Sequence, residues 1–259
     1  SKGESLADTA RVIAGYADVI VMRHPETGSV AEFAANINVP VINAGDGTGQ
    51  HPSQALLDYY TIEKEFAALG KTIDGLSIAL VGDLKHGRTI HSLSQLLAKF
   101  NGIHFKFIAP DHLRAPAELL AELQRAGHRV EEFDSLQNGL PGVDVIYATR
   151  IQRERIENGE KLEGYSEALR LNRANVERYA PADAIILHPL PRDSRAGAYD
   201  LGTDLDDLPR LAIFRQADNG VTMRMALFAS VLGVADELEK YFVPRRGFVP
   251  EHYGRRLKA

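Results

Sequence analysis

Five short clusters in this 259-residue chain carry side chains able to bind and activate an anionic substrate. They are Arg23-His24-Pro25, His51-Pro52-Ser53-Gln54, Gly82 to Thr89 (GDLKHGRT), Thr149-Arg150-Ile151-Gln152, and His188-Pro189-Leu190-Pro191-Arg192. A guanidinium matches a carboxylate or phosphate as a fork, and each such pair contributes about 1.5–3 kcal/mol. Two of them, Arg88 and Arg150, suit a substrate with two carboxylates. His51 can donate to a carbonyl oxygen on which charge develops. Pro189 and Pro191 lack N–H groups and have fixed φ, which leaves the carbonyls of their loop free to accept from an amine.

Each cluster read alone also has an ordinary structural meaning. His51 is equally a helix-capping or core-satisfied imidazole. Arg88 or Arg150 is equally a solvated arginine at a strand end. HPLPR is equally a stiff loop after the last strand. The segment GDLKHGRT approaches the phosphate-loop pattern G-x-x-x-x-G-K-[ST], with Arg88 in place of lysine. Arg is not a neutral replacement there, and no strand ends in a matching magnesium-binding Asp, so nucleotide hydrolysis is disfavoured. No serine sits in a nucleophile elbow and there is no cysteine. The chemistry must therefore come from positioning and electrostatics. None of the nine histidines falls in an H-x-H or H-E-x-x-H pattern, so neither a metal nor a cofactor is expected.

These clusters need a scaffold that brings distant parts of the chain to one edge. Ser5 and Asp8 fit a capping box opening a helix through Tyr16. Val19–Met22 and Val39–Ile42 read as strands, with a helix over Ser29–Asn36 between them. Asn43 to Gly49 alternates glycine at 45, 47 and 49, then enters a helix through Pro52, a residue suited to a first turn. Strands follow at Ser77–Val81, His104–Ile108, Arg129–Phe133, Val143–Ala148 and Ala184–Leu187. Helices alternate with them at Thr89–Phe100, Ala115–Ala126 and Asn172–Tyr179. Short apolar strands between amphipathic helices predict an α/β protein with a doubly wound parallel sheet. Ligands of such sheets bind beyond the carboxyl ends of the strands, where three of the clusters fall. Arg153–Tyr165 reads as a mobile loop, Gly197–Leu208 as irregular, Thr222–Leu238 as a long helix, and Tyr241–Ala259 as a basic tail.

Hydrophobic residues make up 44% of the chain and charged residues 25%, enough for a true core. A net charge of −5 argues against general nucleic-acid affinity. No apolar run is long enough to span a membrane, no signal peptide is read, and the absence of cysteine fits a reducing compartment.

Taken together, the motifs resemble the aspartate carbamoyltransferase catalytic chains. The matching stretches run in order: KGESLADT at Lys2–Thr9, VMRHP at Val21–Pro25, NAGDG…QHPSQ-LLD at Asn43–Asp58, VGDLKHGRT-HSL at Val81–Leu93, TRIQRER at Thr149–Arg155 and HPLPR at His188–Arg192. The resemblance implies two parallel-sheet α/β domains in the carbamoyltransferase fold, the first incomplete here and the second doubly wound. Residues 1–66 would form the carbamoyl-phosphate side with an inter-domain helix, and 67–212 the aspartate side. Residues 213–259 would form a helix packing back on the first domain plus the tail. It implies transfer of a carbamoyl group from carbamoyl phosphate to L-aspartate, a step of pyrimidine biosynthesis in the cytoplasm.

By the same resemblance, Arg23, His51 and Gln54 would hold carbamoyl phosphate, with Arg23 and His51 polarising its carbonyl. Arg88, Arg150 and Gln152 would hold aspartate, and the Leu190 and Pro191 carbonyls would face the reacting amino groups. Lys2 would reach a neighbouring active site in a homotrimer, and there is room for a regulatory chain or a dihydroorotase partner. Ornithine as acceptor is disfavoured, because the ornithine-specific relatives carry a cysteine in the loop matching HPLP. The family's Ser-Thr-Arg-Thr phosphate loop has no counterpart here. The expectation is a piece of a longer catalytic chain, nearly inactive alone; the alternative is a non-catalytic scaffold or regulatory relative.

Overall fold

The computed structural model describes residues 3–47, 49–150, 169–193 and 200–241. Ser5 caps the first helix, α1 (Leu6–Ala14), its Oγ accepting from the Asp8 N–H at 3.1 Å. β1 (Ile20–His24), α2 (Ser29–Ala34) and β2 (Val41–Asp46) follow. β1 and β2 pair in parallel, with Ile20 opposite Val41 and His24 opposite Asp46. The glycine-rich stretch therefore begins as strand. Asn43 lies opposite Met22, and this pairing keeps the backbone extended past the expected end at Ile42. Pro52 opens α3 (Pro52–Leu69), and Gly70 closes it in a left-handed conformation at φ +67°.

The second sheet contains β3 (Ser77–Val81), β4 (His104–Ile108), β5 (Arg129–Phe133), β6 (Val145–Ala148) and β7 (Ile185–Leu187). Its order is β5-β4-β3-β6-β7 and every pairing is parallel, the expected doubly wound arrangement. α4 (Arg88–Leu97), α5 (Ala117–Arg125), a single turn α6 (Leu136–Gly139) and α7 (Arg173–Tyr179) connect the strands. β3, β6 and β7 are buried along their whole length, which accounts for their unbroken apolar sequence. The chain winds outward from β3 to β5, then returns to β6 on the other side of β3. Connections leave β3 and β6 in opposite directions, so a crevice opens beyond their carboxyl ends. The two strands stay in close register there, with the Thr149 N–H donating to the Val81 carbonyl at 2.9 Å.

The last helix, α8 (Ile213–Val231), departs from the expected span. It begins well before Thr222, and Ala235–Tyr241 is a separate 3-10 segment rather than its continuation. The unexpected first half is what packs on α3. Arg215 forks onto Glu65 at 2.6 and 2.8 Å, the Asn219 amide donates to Thr61 Oγ1 at 3.0 Å, and the Gln216 amide donates to Asp58 Oδ1 at 2.6 Å. On α3 these partners, with Gln54, recur every three or four residues, so they form one polar stripe along the helix. Among the described residues no helix is long and apolar enough to cross a membrane.

Candidate active site

The crevice at the β3–β6 switch is lined by Arg23, His51, Gln54, Arg88, Thr89, Thr149, Arg150, His188, Pro189, Leu190 and Pro191, and encloses about 210 Å³. All the expected site residues that the structure describes meet here. Lys2 and Gln152 lie outside the described residues, as do the loop read at 153–165 and the tail beyond Tyr241. Arg192 belongs to the HPLPR motif but turns away. It forks onto Asp206 at 2.6 and 3.1 Å and so pins the end of the turn.

α4 holds the elbow from the opposite wall. Arg88, Ser92 and Gln95 recur at i, i+4 and i+7 and share one face. Arg88 Nη1 donates to the Gly47 carbonyl at 2.8 Å, and Ser92 Oγ accepts from the His51 N–H at 2.9 Å. Gln50 Nε2 donates to Gln95 Oε1 at 2.8 Å. The Arg88 guanidinium lies against Gly45, where a Cβ would stand 3.1 Å from both terminal nitrogens, and Gly45 has φ +130°. Only glycine fits this contact without strain. Arg88 is thus mostly buried, 8% exposed, and is not the solvated arginine that its position alone would allow.

The phosphate-loop-like segment does not form a phosphate cradle. The N–H groups of Leu84 and Lys85 donate to the Leu113 carbonyl at 3.0 and 3.1 Å, and the His86 N–H donates to Asp83 Oδ1 at 3.0 Å. Donors that such a loop would aim at phosphates are committed within the protein. Among the described residues no group of three or more His, Asp or Glu side chains could hold a metal ion.

His51 stands at the N-terminus of α3 with no cap made by its own side chain. Burial lowers its pKa to about 4, aided by the charges of Arg88, Arg23 and Arg224. At neutral pH the ring is an uncharged imidazole. Ser53 Oγ lies 3.4 Å from its Nδ1. When that hydroxyl donates, the proton resides on Nε2 and serves as a donor towards a ligand. The positive ends of α3 and α4 also face the crevice and favour an anion.

On the far side, the turn after β7 is held by its own first residue. His188 Nδ1 accepts from the Leu190 N–H at 2.8 Å, and the His188 N–H donates to Gln216 Oε1 at 2.9 Å. Leu190 has φ +56° and the Leu190–Pro191 peptide is cis. Sequence reasoning missed what stands behind these walls. Asp58, fully buried, accepts from Gln54 Nε2 at 2.8 Å, from Gln216 Nε2 at 2.6 Å and from the Tyr147 hydroxyl at 2.7 Å. The sequence signals were its place at the end of the matching stretch Asn43–Asp58 and its spacing from Gln54, Thr61 and Glu65 on one helix face.

Burial raises the Asp58 pKa to about 6, against its three hydrogen bonds, which lower it. Between the ordinary carboxyl value and about 6, the folded chain keeps a proton that the unfolded chain has released. Stability from this group is therefore present at low pH and falls as pH rises through that window. Asp58→Asn cannot ionise and is expected to remove the decline, which is on the order of 3 kcal/mol. Urea unfolding between pH 4 and 7 checks this. A variant whose stability follows the parent's at every pH, with a constant offset, would count against it.

Residues 1–64 match the family model described as the aspartate/ornithine carbamoyltransferase carbamoyl-P binding domain, and residues 74–231 match that family's Asp/Orn binding domain. The chain belongs to the aspartate/ornithine carbamoyltransferase family. Its high-identity relatives within that family are aspartate carbamoyltransferase catalytic subunits. That of Dichelobacter nodosus is 71% identical over 254 residues, covering 98% of this chain and 73% of the relative. Among solved structures, aspartate transcarbamoylase from Trypanosoma cruzi in complex with carbamoyl aspartate and phosphate matches with a TM-score of 0.79 at 40% identity, over 88% of this chain and 70% of that one. The same enzyme in complex with N-(phosphonacetyl)-L-aspartic acid matches at 0.76, over 88% and 69%.

Proposed function

We propose that this crevice transfers the carbamoyl group of carbamoyl phosphate to the amine of L-aspartate, giving N-carbamoyl-L-aspartate and phosphate. The observation that carries the reading is the meeting of a neutral, buried His51 with Arg23, Arg88 and Arg150 in one crevice that also contains the Leu190-Pro191 turn. The aspartate amine attacks the carbamoyl carbon. As charge develops on the carbonyl oxygen, His51 and Arg23 stabilise it. The C–O bond to phosphate then breaks, and the amine proton leaves with phosphate or solvent. Gln54 helps to hold carbamoyl phosphate. Arg88 and Arg150 hold the two carboxylates of aspartate, assisted by Gln152, and the Leu190 and Pro191 carbonyls orient the amino groups. No covalent intermediate is needed, since phosphate is already a good leaving group and the site supplies positioning and positive potential.

In the same proposal, residues 1–66 serve carbamoyl phosphate, 67–212 serve aspartate, and the helix within 213–259 returns to the first unit. The bonds between α8 and α3 support that last point. In the same proposal the protein is a cytoplasmic homotrimer; the Lys2–Thr9 motif supports the donation of Lys2 across the interface. The test uses the protein at its full natural length with carbamoyl phosphate and either aspartate or ornithine, and measures its mass by sedimentation. Carbamoyl-aspartate from a trimer is expected. Carbamoyl-ornithine, or no product, overturns the substrate assignment, and a monomeric mass overturns the trimer.

A further inference from the structure

Asp58 is not among the residues lining the crevice, yet each of its three partners leads to the crevice wall. Gln54 lines the crevice itself. Tyr147 ends in a hydroxyl on Asp58 and lies on β6, immediately ahead of Ala148, Thr149 and Arg150. Gln216 receives the N–H of His188 on its Oε1 and donates its Nε2 to Asp58. Among the described residues no cation faces Asp58; the groups that bond it come from α3, β6 and α8, and are two neutral amides and a phenol. A buried carboxylate without a counter-charge is costly. The carboxylate offsets part of that cost by accepting from all three donors at once.

We propose that Asp58 is a positioning residue for the transfer reaction: by accepting from Gln54, Gln216 and Tyr147 together, it fixes the amide orientation of Gln54 in one wall and, through Gln216, the His188 backbone at the head of the Leu190-Pro191 turn in the other. With its Nε2 committed to Asp58, Gln54 presents its acceptor Oε1 to the crevice. With its Nε2 committed likewise, Gln216 presents an acceptor to the His188 N–H. Gln54 and Gln216 both donate to Oδ1, and the Tyr147 hydroxyl donates to Oδ2. An asparagine at 58 can keep its oxygen on both amides and turn its NH₂ to the hydroxyl, which also accepts. A leucine is close in size but accepts nothing, so both amides lose the oxygen that orients them. The inference rests on the carbamoyl-transfer reading of the site.

The test is kinetic and uses the full-length protein. Asp58→Leu is expected to lower kcat about 10- to 100-fold at saturating substrates, the cost of misplacing reacting groups by about an ångström, whereas Asp58→Asn, which keeps an oxygen for both amides, should retain most of the rate. Cooperative unfolding should persist. Gln216→Met removes the relay by a second route and should give a loss of the same size. The double variant should be no slower than the slower single variant, because residues acting as one unit are not additive. Binding of N-(phosphonacetyl)-L-aspartic acid, measured by calorimetry, separates the two levels of the argument. A parent protein that neither binds it nor turns over overturns the reading of the site, and the inference with it. A competent parent with Asp58→Leu at parental kcat, or with single-variant losses that multiply in the double, overturns the inference alone. Should Asp58→Leu fail to fold, Gln216→Met at parental kcat has the same force.

Discussion

Replacing His51 with alanine is expected to lower kcat about 10²- to 10³-fold, the cost of removing one donor from a developing oxyanion. The fold should be little affected. The His51 side chain makes no helix cap, and its contact to Ser53 is long at 3.4 Å. The bond that anchors the elbow at this residue runs from its backbone N–H to Ser92, and alanine keeps it. Stability should therefore change by less than about 1 kcal/mol. His51→Gln, which restores a neutral donor on a longer side chain, should recover part of the lost rate. The imidazole is uncharged down to about pH 4. The free enzyme's rate should accordingly show no His51 titration between pH 5 and 8. A measured kcat for His51→Ala within a few-fold of the parent's would remove His51 from the chemistry.

The second large effect is on stability. Gly82→Ala is expected to destabilise the protein by about 3–5 kcal/mol, the sum of backbone strain and overpacking. Gly82 has φ +127°, and an added Cβ would lie far inside van der Waals contact of the Thr149 carbonyl oxygen. Neither side can yield cheaply. The Gly82 N–H is bonded to Ile108 and the Thr149 N–H to Val81, so relief requires parting β3 from its neighbours. Gly142→Ala is the control: its φ is also positive, at +72°, but nothing lies within 4 Å. It should cost only about 1 kcal/mol. Thermal melting should lower Tm by on the order of 10 °C for Gly82→Ala, with a much smaller change for Gly142→Ala. Equal melting temperatures for the two would dismiss the steric argument. The same substitution moves Thr149 and Arg150, so activity per folded molecule should fall as well.

The sheet was legible in the sequence, in its buried central strands and in its partly exposed edge strand β5 alike. Ser77–Val81, His104–Ile108 and Arg129–Phe133 are found as read. Elements whose buried face is polar were not. The first half of α8 carries Gln216, Asp218, Asn219 and Gly220, polar residues and a glycine that precede the helix read at Thr222–Leu238. Gln216 and Asn219 are buried and paired with the stripe on α3, so tertiary hydrogen bonds compensate for what looked unsuited to a helix. β2 was cut short for the opposite reason. Its glycines read as a turn, while pairing with β1 holds them extended.

The crevice was legible because its residues are unusual for the ends of strands, and because the motifs resemble a known family. Asp58 was not, because its meaning depends on a glutamine 158 positions further on. Arg224 was not, because its charge reaches His51 only through the fold.

The cations around His51 carry one more consequence. Burial and the charges of Arg88, Arg23 and Arg224 strip its imidazole of a proton. A phosphate dianion entering the crevice counters those charges and restores the ring's proton affinity. Proton uptake and ligand occupancy are therefore linked at this site, and the apparent affinity for a phosphate ligand carries a pH dependence that belongs to the protein as much as to the ligand.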